Sequence, residues 1–192
     1  MKKALLHGYT HITHLYSAVS TIVRRKGFRH AGIVESAYLF PELTSEVIAD
    51  GCHLPGDLLK LAYRQIGPDR LCLVTDAMRA AGQTEGESIL GDLADGQRVI
   101  IEDGVAKLPD RQAFAGSIAT ADRLVRTMVW QGGASIPDAV EMVTATPAKI
   151  LGLDRQTGRV KAGRKADLVL FDEDIRVRKV FRDGVLKYDA RA

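Results

Sequence analysis

Hydrophobic and polar positions alternate along the first half of the chain between short apolar runs and longer stretches with helical spacing. Residues 45–49 and 70–75 are typical of buried strands, and residues 55–66 between them carry apolar side chains on one helical face. Residues 10–15 form a further candidate strand. Strand, helix and strand in this order predict an α/β fold with a parallel sheet covered by helices.

The second half of the chain has a different pattern. Segments 98–108 and 178–188 each contain two apolar runs separated by Asp-Gly, which predicts two β-hairpins. A strand over 166–171 precedes the second hairpin. The chain is therefore expected to end in β-structure.

Helical spacing returns between the two predicted hairpins. Residues 120–131 and 136–145 are each expected to form a helix. Thr146 then stands before Pro147 as the expected N-cap of a further short helix.

Composition narrows the class of protein. The chain has 192 residues, of which 46% are hydrophobic, and its formal net charge of +3 gives no strongly basic face for nucleic acid. His7 interrupts the first apolar residues well before the about 7–15 of a secretory signal, and no run approaches the ~20 of a membrane span. Cys52 and Cys72 form no CxxC pair, so we expect a cytoplasmic protein without a zinc knuckle or a redox motif.

Polar side chains with catalytic potential follow three of the predicted strands. His14, His53 and Asp76 each come at or just after a strand end. Because the C-terminal ends of parallel strands open at one edge, these side chains are expected to converge. The structural alternatives are a helix-capping or surface role for His53 and a helix N-cap for Asp76. A carboxylate directly after a buried strand is costly unless it is paired or functional, which favours a site.

His11 and His14 compete for the first of these positions. Residues three apart in a regular strand point to opposite faces, so both cannot face one site. His14 lies nearer the strand end and is the ligand candidate, whereas His11 is expected to pack against the outer, helical layer.

Two more segments carry groups suited to binding a ligand. Arg24, Arg25 and Lys26 form a basic cluster after a probable strand end, which suits either a phosphate clamp or a solvated loop. Residues 114–117, with the sequence FAGS, offer small side chains and backbone donors for a close approach of substrate.

In order and spacing, these segments resemble N-acetylglucosamine-6-phosphate deacetylases, which are metal-dependent amidohydrolases. The resemblance rests on four segments, THLYSAV, IADGCH, LVTDA and FAGS, and the tail segment GRVKAGRKADLVLFD is similar to amidohydrolases in general. It implies that residues 1–157 form the last three β-α units of a partial TIM-like barrel. Residues 158–192 would then supply the C-terminal strands of a small β-sandwich domain.

The resemblance also implies a role for each matching residue. His14 matches a metal ligand, Asp76 the carboxylate that deprotonates a metal-bound water and then protonates the leaving amine, and His53 a substrate-binding His that polarises the carbonyl. Arg25 matches an Arg that grips the phosphate, often from the neighbouring subunit. The other implied substrate-binding positions are Ser17, Ala18, Asp50, Gly51, Cys52, Phe114, Ala115 and Gly116.

The implied reaction removes the acetyl group from N-acetylglucosamine 6-phosphate, giving glucosamine 6-phosphate and acetate in amino-sugar catabolism. The implied cofactor is a divalent metal, with zinc expected. The implied partners are an amino-sugar phosphate and a second copy in a homodimer, with no nucleic acid and no membrane.

Two departures from the family pattern leave alternatives open. Ser17 stands where the family usually has Asn, and no residue matches the Glu and the second His that complete the family's metal site. The alternatives are an N-acetylgalactosamine-6-phosphate deacetylase or another amidohydrolase, and a truncated, catalytically inactive remnant.

Overall fold

Helices and strands alternate along the described chain, residues 1–191 of a computed structural model. The helices are α1 (Lys2–Leu6), α2 (Ile33–Leu39), α3 (Gly56–Ile66), α4 (Ala121–Trp130), α5 (Ile136–Val143) and α6 (Ala145–Ile150). The strands are β1 (His11–Ile12), β2 (Val23–Arg25), β3 (Phe28–His30), β4 (Thr44–Ile48), β5 (Leu71–Val74), β6 (Gly86–Leu90), β7 (Gln97–Glu102), β8 (Val105–Lys107), β9 (Leu168–Phe171), β10 (Val177–Arg182) and β11 (Val185–Asp189). The predicted α/β class is confirmed.

A parallel sheet with strand order β1-β4-β5 supports the site. His11 is in register with Thr44, and the pairing of β4 with β5 runs on to Ile48 and Val74. Beyond β5, a single parallel bridge joins Ala77 to Ser117. The described strands form part of a TIM-like barrel and do not close it, as the sequence predicted.

One face of this sheet packs against the helices. Ile12, Val47 and Leu71 lie on that face and join Leu59 of α3 and Met128 of α4 in the main core, each of them almost fully buried. Burying a side chain of this size stabilises the fold by about 1.5–3 kcal/mol. The sheet is therefore anchored from one side, and its other face carries polar side chains such as His11, Thr44 and Glu46.

Two antiparallel sheets, β6-β7-β8 and β9-β10-β11, follow the parallel one. Asp103 and Gly104 turn between β7 and β8, and Asp183 and Gly184 turn between β10 and β11, all four with positive φ. Type I′ hairpins require that conformation at both turn positions, which Asp-Gly readily adopts. Both predicted hairpins are confirmed.

Thr146 does not cap a helix. The predicted helix over 136–145 ends at Val143, α6 begins at Ala145, and Thr144 holds the N-cap position. Thr146 therefore lies inside α6, where its hydroxyl donates a 2.6 Å hydrogen bond to the carbonyl of Pro68. The Thr-Pro pair suggested a start at Pro147, but packing against the loop before β5 sets the start earlier.

Four elements were not predicted from the sequence, namely α2, β6, and the strands β2 and β3, which form a hairpin. All six strand residues of that hairpin are exposed, so no apolar face marks them in the sequence.

The division of the chain between residues 157 and 158 stays a prediction. Ile175, from the second of these two parts, is buried in the main core. None of the helices among residues 1–191 has the length and apolar character needed to cross a membrane.

Candidate active site

His14, His53 and Asp76 lie beyond the C-terminal ends of three neighbouring parallel strands. β1 ends at Ile12, β4 at Ile48 and β5 at Val74. Because β4 pairs with both of the others in parallel, the three segments leave the sheet at the same edge. The shared edge agrees with the strand-end pattern, and the convergence of the three side chains on one site stays a prediction.

The backbone at His14 leaves the extended conformation, with a φ of +28°. Ile12 and Leu15 are three residues apart and yet both lie in the main core, which a regular strand would not allow. The ring Nδ1 of His14 lies 2.9 Å from the carbonyl oxygen of Ser17. A carbonyl only accepts, so Nδ1 carries the hydrogen and Nε2 keeps the lone pair that a metal ion would need.

His11 lies on the face of the sheet opposite the helices, which corrects its predicted packing against the outer layer. Its Nδ1 lies 2.7 Å from the hydroxyl of Thr44, and its Nε2 lies 3.0 Å from a carboxylate oxygen of Glu46. The alternation of β1 explains this, because Ile12 takes the place against the helices and His11 must point the other way.

Asp50 and His53 form a buried polar pair in the loop after β4. Oδ2 of Asp50 lies 2.7 Å from Nδ1 of His53, and Oδ1 accepts the backbone N–H groups of Cys52 and His53, each at 2.9 Å. The Asp50 side chain is fully buried. Burial opposes its charged form, but the hydrogen bonds from His53 and Cys52 outweigh burial and hold the pKa of Asp50 below its usual value. His53 thus has a fixed ring with Nε2 directed away from Asp50.

The loop over 114–117 connects His53 with Asp76. The rings of Phe114 and His53 are tilted at 57° with centroids 5.1 Å apart, and the N–H of Ser117 lies 3.4 Å from the carbonyl oxygen of Asp76. Gly116 between them has a φ of +99°, and a Cβ there would lie 3.4 Å from the Cβ of Met78. Glycine is therefore needed at this position of the loop.

Asp76 is exposed at the sheet edge, with a φ of +45° that Asp tolerates better than most residues. No helix begins directly after it among residues 1–191, since the chain turns and forms β6. The alternative that Asp76 caps a helix is therefore wrong, and its carboxylate faces solvent at the edge shared with His14 and His53.

Two residues that sequence reasoning missed lie close to the loop after β4. The guanidinium of Arg123 donates to the carbonyl of Gly104 at 2.8 Å and lies 3.4 Å from the thiol of Cys52. Burial and the charge of Asp50 raise the pKa of that thiol despite Arg123. Gly51 has a φ of +80°, and a Cβ there would lie 3.3 Å from the amide nitrogen of Gln131. Nothing in the sequence pattern links Arg123 or Gln131 with this loop.

Arg25 lies within β2, which corrects its predicted place after a strand end. It is exposed and pairs with Phe28 of β3.

Both backbone groups of Ser17 bond to His14. The Ser17 N–H donates to the His14 carbonyl at 2.9 Å, and the Ser17 carbonyl accepts from Nδ1 of His14 at 2.9 Å. In this arrangement the hydroxyl of Ser17 and the backbone of Ala18 remain as possible ligand contacts.

The described residues do not form a complete metal site. Within residues 1–191 no group of three or more His, Cys, Asp or Glu side chains is placed to hold a metal ion. A structural or catalytic zinc ion normally takes about three or four protein ligands. Within these residues, a metal ion at His14 would therefore have an incomplete set of ligands.

Two surface cavities lie away from this edge. One of about 670 Å³ lies between α4 and the C-terminal sheet and includes Trp130 and Tyr188. The other, of about 170 Å³, includes Glu141 and Arg159. None of the predicted site residues lines either of these two cavities.

Proteins with matching sequences share nearly the whole of this chain. The N-acetylglucosamine-6-phosphate deacetylases of Vibrio furnissii and Rattus norvegicus are each 33% identical to it over 190 residues. The alignments cover 99% and 97% of this chain but only 45% of each relative. The chain therefore spans less than half of the length of these relatives.

Solved structures agree with the sequence comparison. The N-acetylglucosamine-6-phosphate deacetylase of Thermotoga maritima superposes with a TM-score of 0.86 at 31% identity, over 98% of this chain and 49% of that one. A mutant of the Mycobacterium smegmatis enzyme in complex with N-acetyl-D-glucosamine-6-phosphate gives a TM-score of 0.82 at 33% identity, over 95% and 46%. The partial-barrel fold is thus shared with these structures.

A model of the amidohydrolase family, whose members are metal-dependent, matches residues 2–187. Together with the parallel strands and the residues at their ends, this match across almost all of the sequence shows that the chain belongs to the amidohydrolase family.

Proposed function

We propose that this chain provides part of an active site that hydrolyses N-acetylglucosamine 6-phosphate to glucosamine 6-phosphate and acetate. The observation that carries the proposal is the placement of His14, His53 and Asp76 at one sheet edge, in a chain matched over 99% of its length by a deacetylase. The bound N-acetyl-D-glucosamine-6-phosphate in the Mycobacterium smegmatis structure supports the choice of substrate.

Asp76 is the proposed proton carrier. Its carboxylate is exposed and takes a proton from the attacking water. It then returns that proton to the amine as the amide bond breaks. One positioned carboxylate can serve as base and acid in turn, because the first step generates the proton that the second one needs.

His53 is the proposed hydrogen-bond donor to the acetyl carbonyl. Asp50 fixes its Nδ1–H, so the ring can direct only Nε2 to a substrate. A proton on Nε2 would stabilise the oxyanion that forms during attack, and the neighbouring carboxylate of Asp50 would stabilise the resulting charged ring. The lining residues of the proposed subsite are Gly51, Cys52, Phe114, Ala115 and Gly116.

The proposed metal is zinc, with His14 as one ligand and the remaining ligands from residues outside this chain.

We further propose that the Ser17–Ala18 turn and Arg25 of a second copy hold the phosphate. A second copy is invoked because Arg25 lies in a hairpin whose strand residues are all exposed. A homodimer is therefore the proposed assembly. Separately, the proposed location is the cytoplasm. Sedimentation of the purified chain tests the dimer, which a monomer at micromolar concentration would contradict.

The incomplete metal site favours a second candidate. In that case the chain is inactive by itself, either as a remnant or as a fragment that needs a complementary chain. N-acetylgalactosamine 6-phosphate is the alternative substrate, because the described residues do not distinguish the two sugars.

The test is acetate release by the chain alone and by the chain mixed with the N-terminal half of the Vibrio furnissii enzyme, each with added zinc. We expect release from N-acetylglucosamine 6-phosphate in the mixture and much less from the unphosphorylated sugar. Release by the N-terminal half alone is the background to subtract. No release in the mixture, together with no binding of substrate by calorimetry, would overturn the proposal.

A further inference from the structure

Glu46 of β4 contacts the residues on both sides of His14. Its backbone carbonyl accepts the N–H of Leu15 at 2.8 Å. Its side chain accepts the hydroxyl of Thr13 at 2.9 Å. The residue before His14 and the residue after it are therefore both tied to Glu46.

His14 needs such support because its backbone is in an unfavourable conformation. Its φ of +28° lies outside the regions that non-glycine residues prefer, and Tyr16 and Ala18 also have positive φ. Conformations of this kind are unfavourable and persist only where surrounding contacts determine them.

His11 in turn orients the carboxylate of Glu46. Nδ1 of His11 lies 2.7 Å from the hydroxyl of Thr44, which holds the ring in place. Nε2 of His11 lies 3.0 Å from the carboxylate of Glu46. A carboxylate only accepts, so Nε2 carries the hydrogen of this contact.

We propose that Glu46, held by His11, is a positioning residue that sets the backbone and the ring orientation of His14. Through the bond from Nδ1 to Ser17, this orientation leaves Nε2 available at the sheet edge. The inference rests on the proposed function only in taking Nε2 as a metal ligand. The orientation of the ring is a property of the chain itself.

Glu46→Gln is the appropriate change because it keeps the size of the side chain. A Gln presents one oxygen and one N–H₂ group, so it cannot accept from both His11 and Thr13 as the carboxylate does. The contacts that support His14 are therefore weakened. Glu42→Gln, at an exposed position two residues before β4, is the matched control.

The first readout is the ¹⁵N NMR signal of the His14 ring in the full chain. We expect a single tautomer with hydrogen on Nδ1 in the native protein and in Glu42→Gln, and a mixture of tautomers in Glu46→Gln. If Glu46→Gln is unfolded, Thr13→Val removes one of the bonds and is expected to give a smaller change of the same kind. An unchanged His14 signal in a folded Glu46→Gln protein would overturn the proposal.

The second readout is the zinc titration of the same signal, which separates the two proposals. Loss of a residue that supports a ligand typically weakens metal affinity about 10–100-fold, and we expect a loss in that range for Glu46→Gln. A tautomer change in Glu46→Gln without any response of His14 to zinc in the native chain would support the positioning role and contradict the metal-ligand role.

Discussion

The carboxylate of Asp50 and the imidazole of His53 form a hydrogen bond of 2.7 Å inside the loop that follows β4. The same carboxylate accepts two backbone N–H groups, so it organises the loop as well as the ring. The Asp50 side chain is fully buried. A substitution that removes its charge would therefore leave the His53 ring and the two backbone N–H groups with a poorer acceptor.

Replacing Asp50 by Asn should therefore destabilise the protein. We expect the free energy of unfolding to fall by about 1–3 kcal/mol, the cost of leaving buried hydrogen-bonding groups poorly satisfied. Urea denaturation followed by circular dichroism at pH 7 measures this. Asp95→Asn, at an exposed position, is the control and should change stability by less than about 0.5 kcal/mol. Equal stability of the two variants would show that the Asp50 pair contributes little.

The stability advantage of Asp50 over Asn should depend on pH. The pKa of Asp50 in the folded protein lies below its usual value, because hydrogen bonds from His53 and Cys52 outweigh burial. The charged form is then favoured by folding, so its contribution is complete above the unfolded pKa of about 3.9 and is lost as pH falls through the folded pKa. The difference between the unfolding free energies of the two proteins, measured from pH 7 to pH 3, should shrink as the pH falls below the unfolded pKa of about 3.9. A constant difference across this range would contradict the assignment.

Asp76→Asn should mainly lower kcat. In a mixture that releases acetate, we expect a loss of about 10²–10⁴-fold, since the carboxylate carries the proton in both steps. Stability should hardly change, because Asp76 is exposed and caps no helix. Initial rates over a range of substrate concentrations measure the effect, with Asp95→Asn as the control. A near-normal kcat in a folded variant would remove Asp76 from the proposed mechanism.

Arg25→Ala should instead raise KM with little change in kcat, because phosphate is held equally in the ground and transition states. A hydrogen bond to a charged group contributes about 1.5–3 kcal/mol, so KM should rise about tenfold or more. Arg24→Ala is the matched control, since neighbouring strand residues point to opposite faces. The same rise in both variants would indicate a general charge effect of the hairpin.

The two cysteines should differ in reactivity towards a disulfide reagent. Burial raises the pKa of Cys72 to about 12, so its thiolate is negligible at pH 8, and its side chain is buried in β5. Cys52 also has a raised pKa but is only half-buried. We expect one thiol per chain to react in the native protein and two after denaturation, with Cys52→Ser removing the native reaction. Native labelling of Cys72 would contradict the buried position.

The regular part of the fold could be predicted because its signals are local. Residues 70–75 are a continuous apolar run, and β5 lies within them at Leu71–Val74. Asp-Gly at 103–104 and 183–184 specifies two hairpins, because these two residue types tolerate positive φ. The hairpin of β2 and β3 has no such signal, since every strand residue in it is exposed.

The sequence by itself determined the family, the α/β class and the strand ends where chemistry was expected. Each of these can be read from residue types and their spacing within short segments of the chain. Tertiary structure decided the rest of the site: the face on which His11 lies, the irregular backbone of His14, and the contact between His53 and Phe114, 61 positions apart. These features depend on hydrogen bonds and packing between segments that are distant in sequence, and no local pattern records which distant group will complete them.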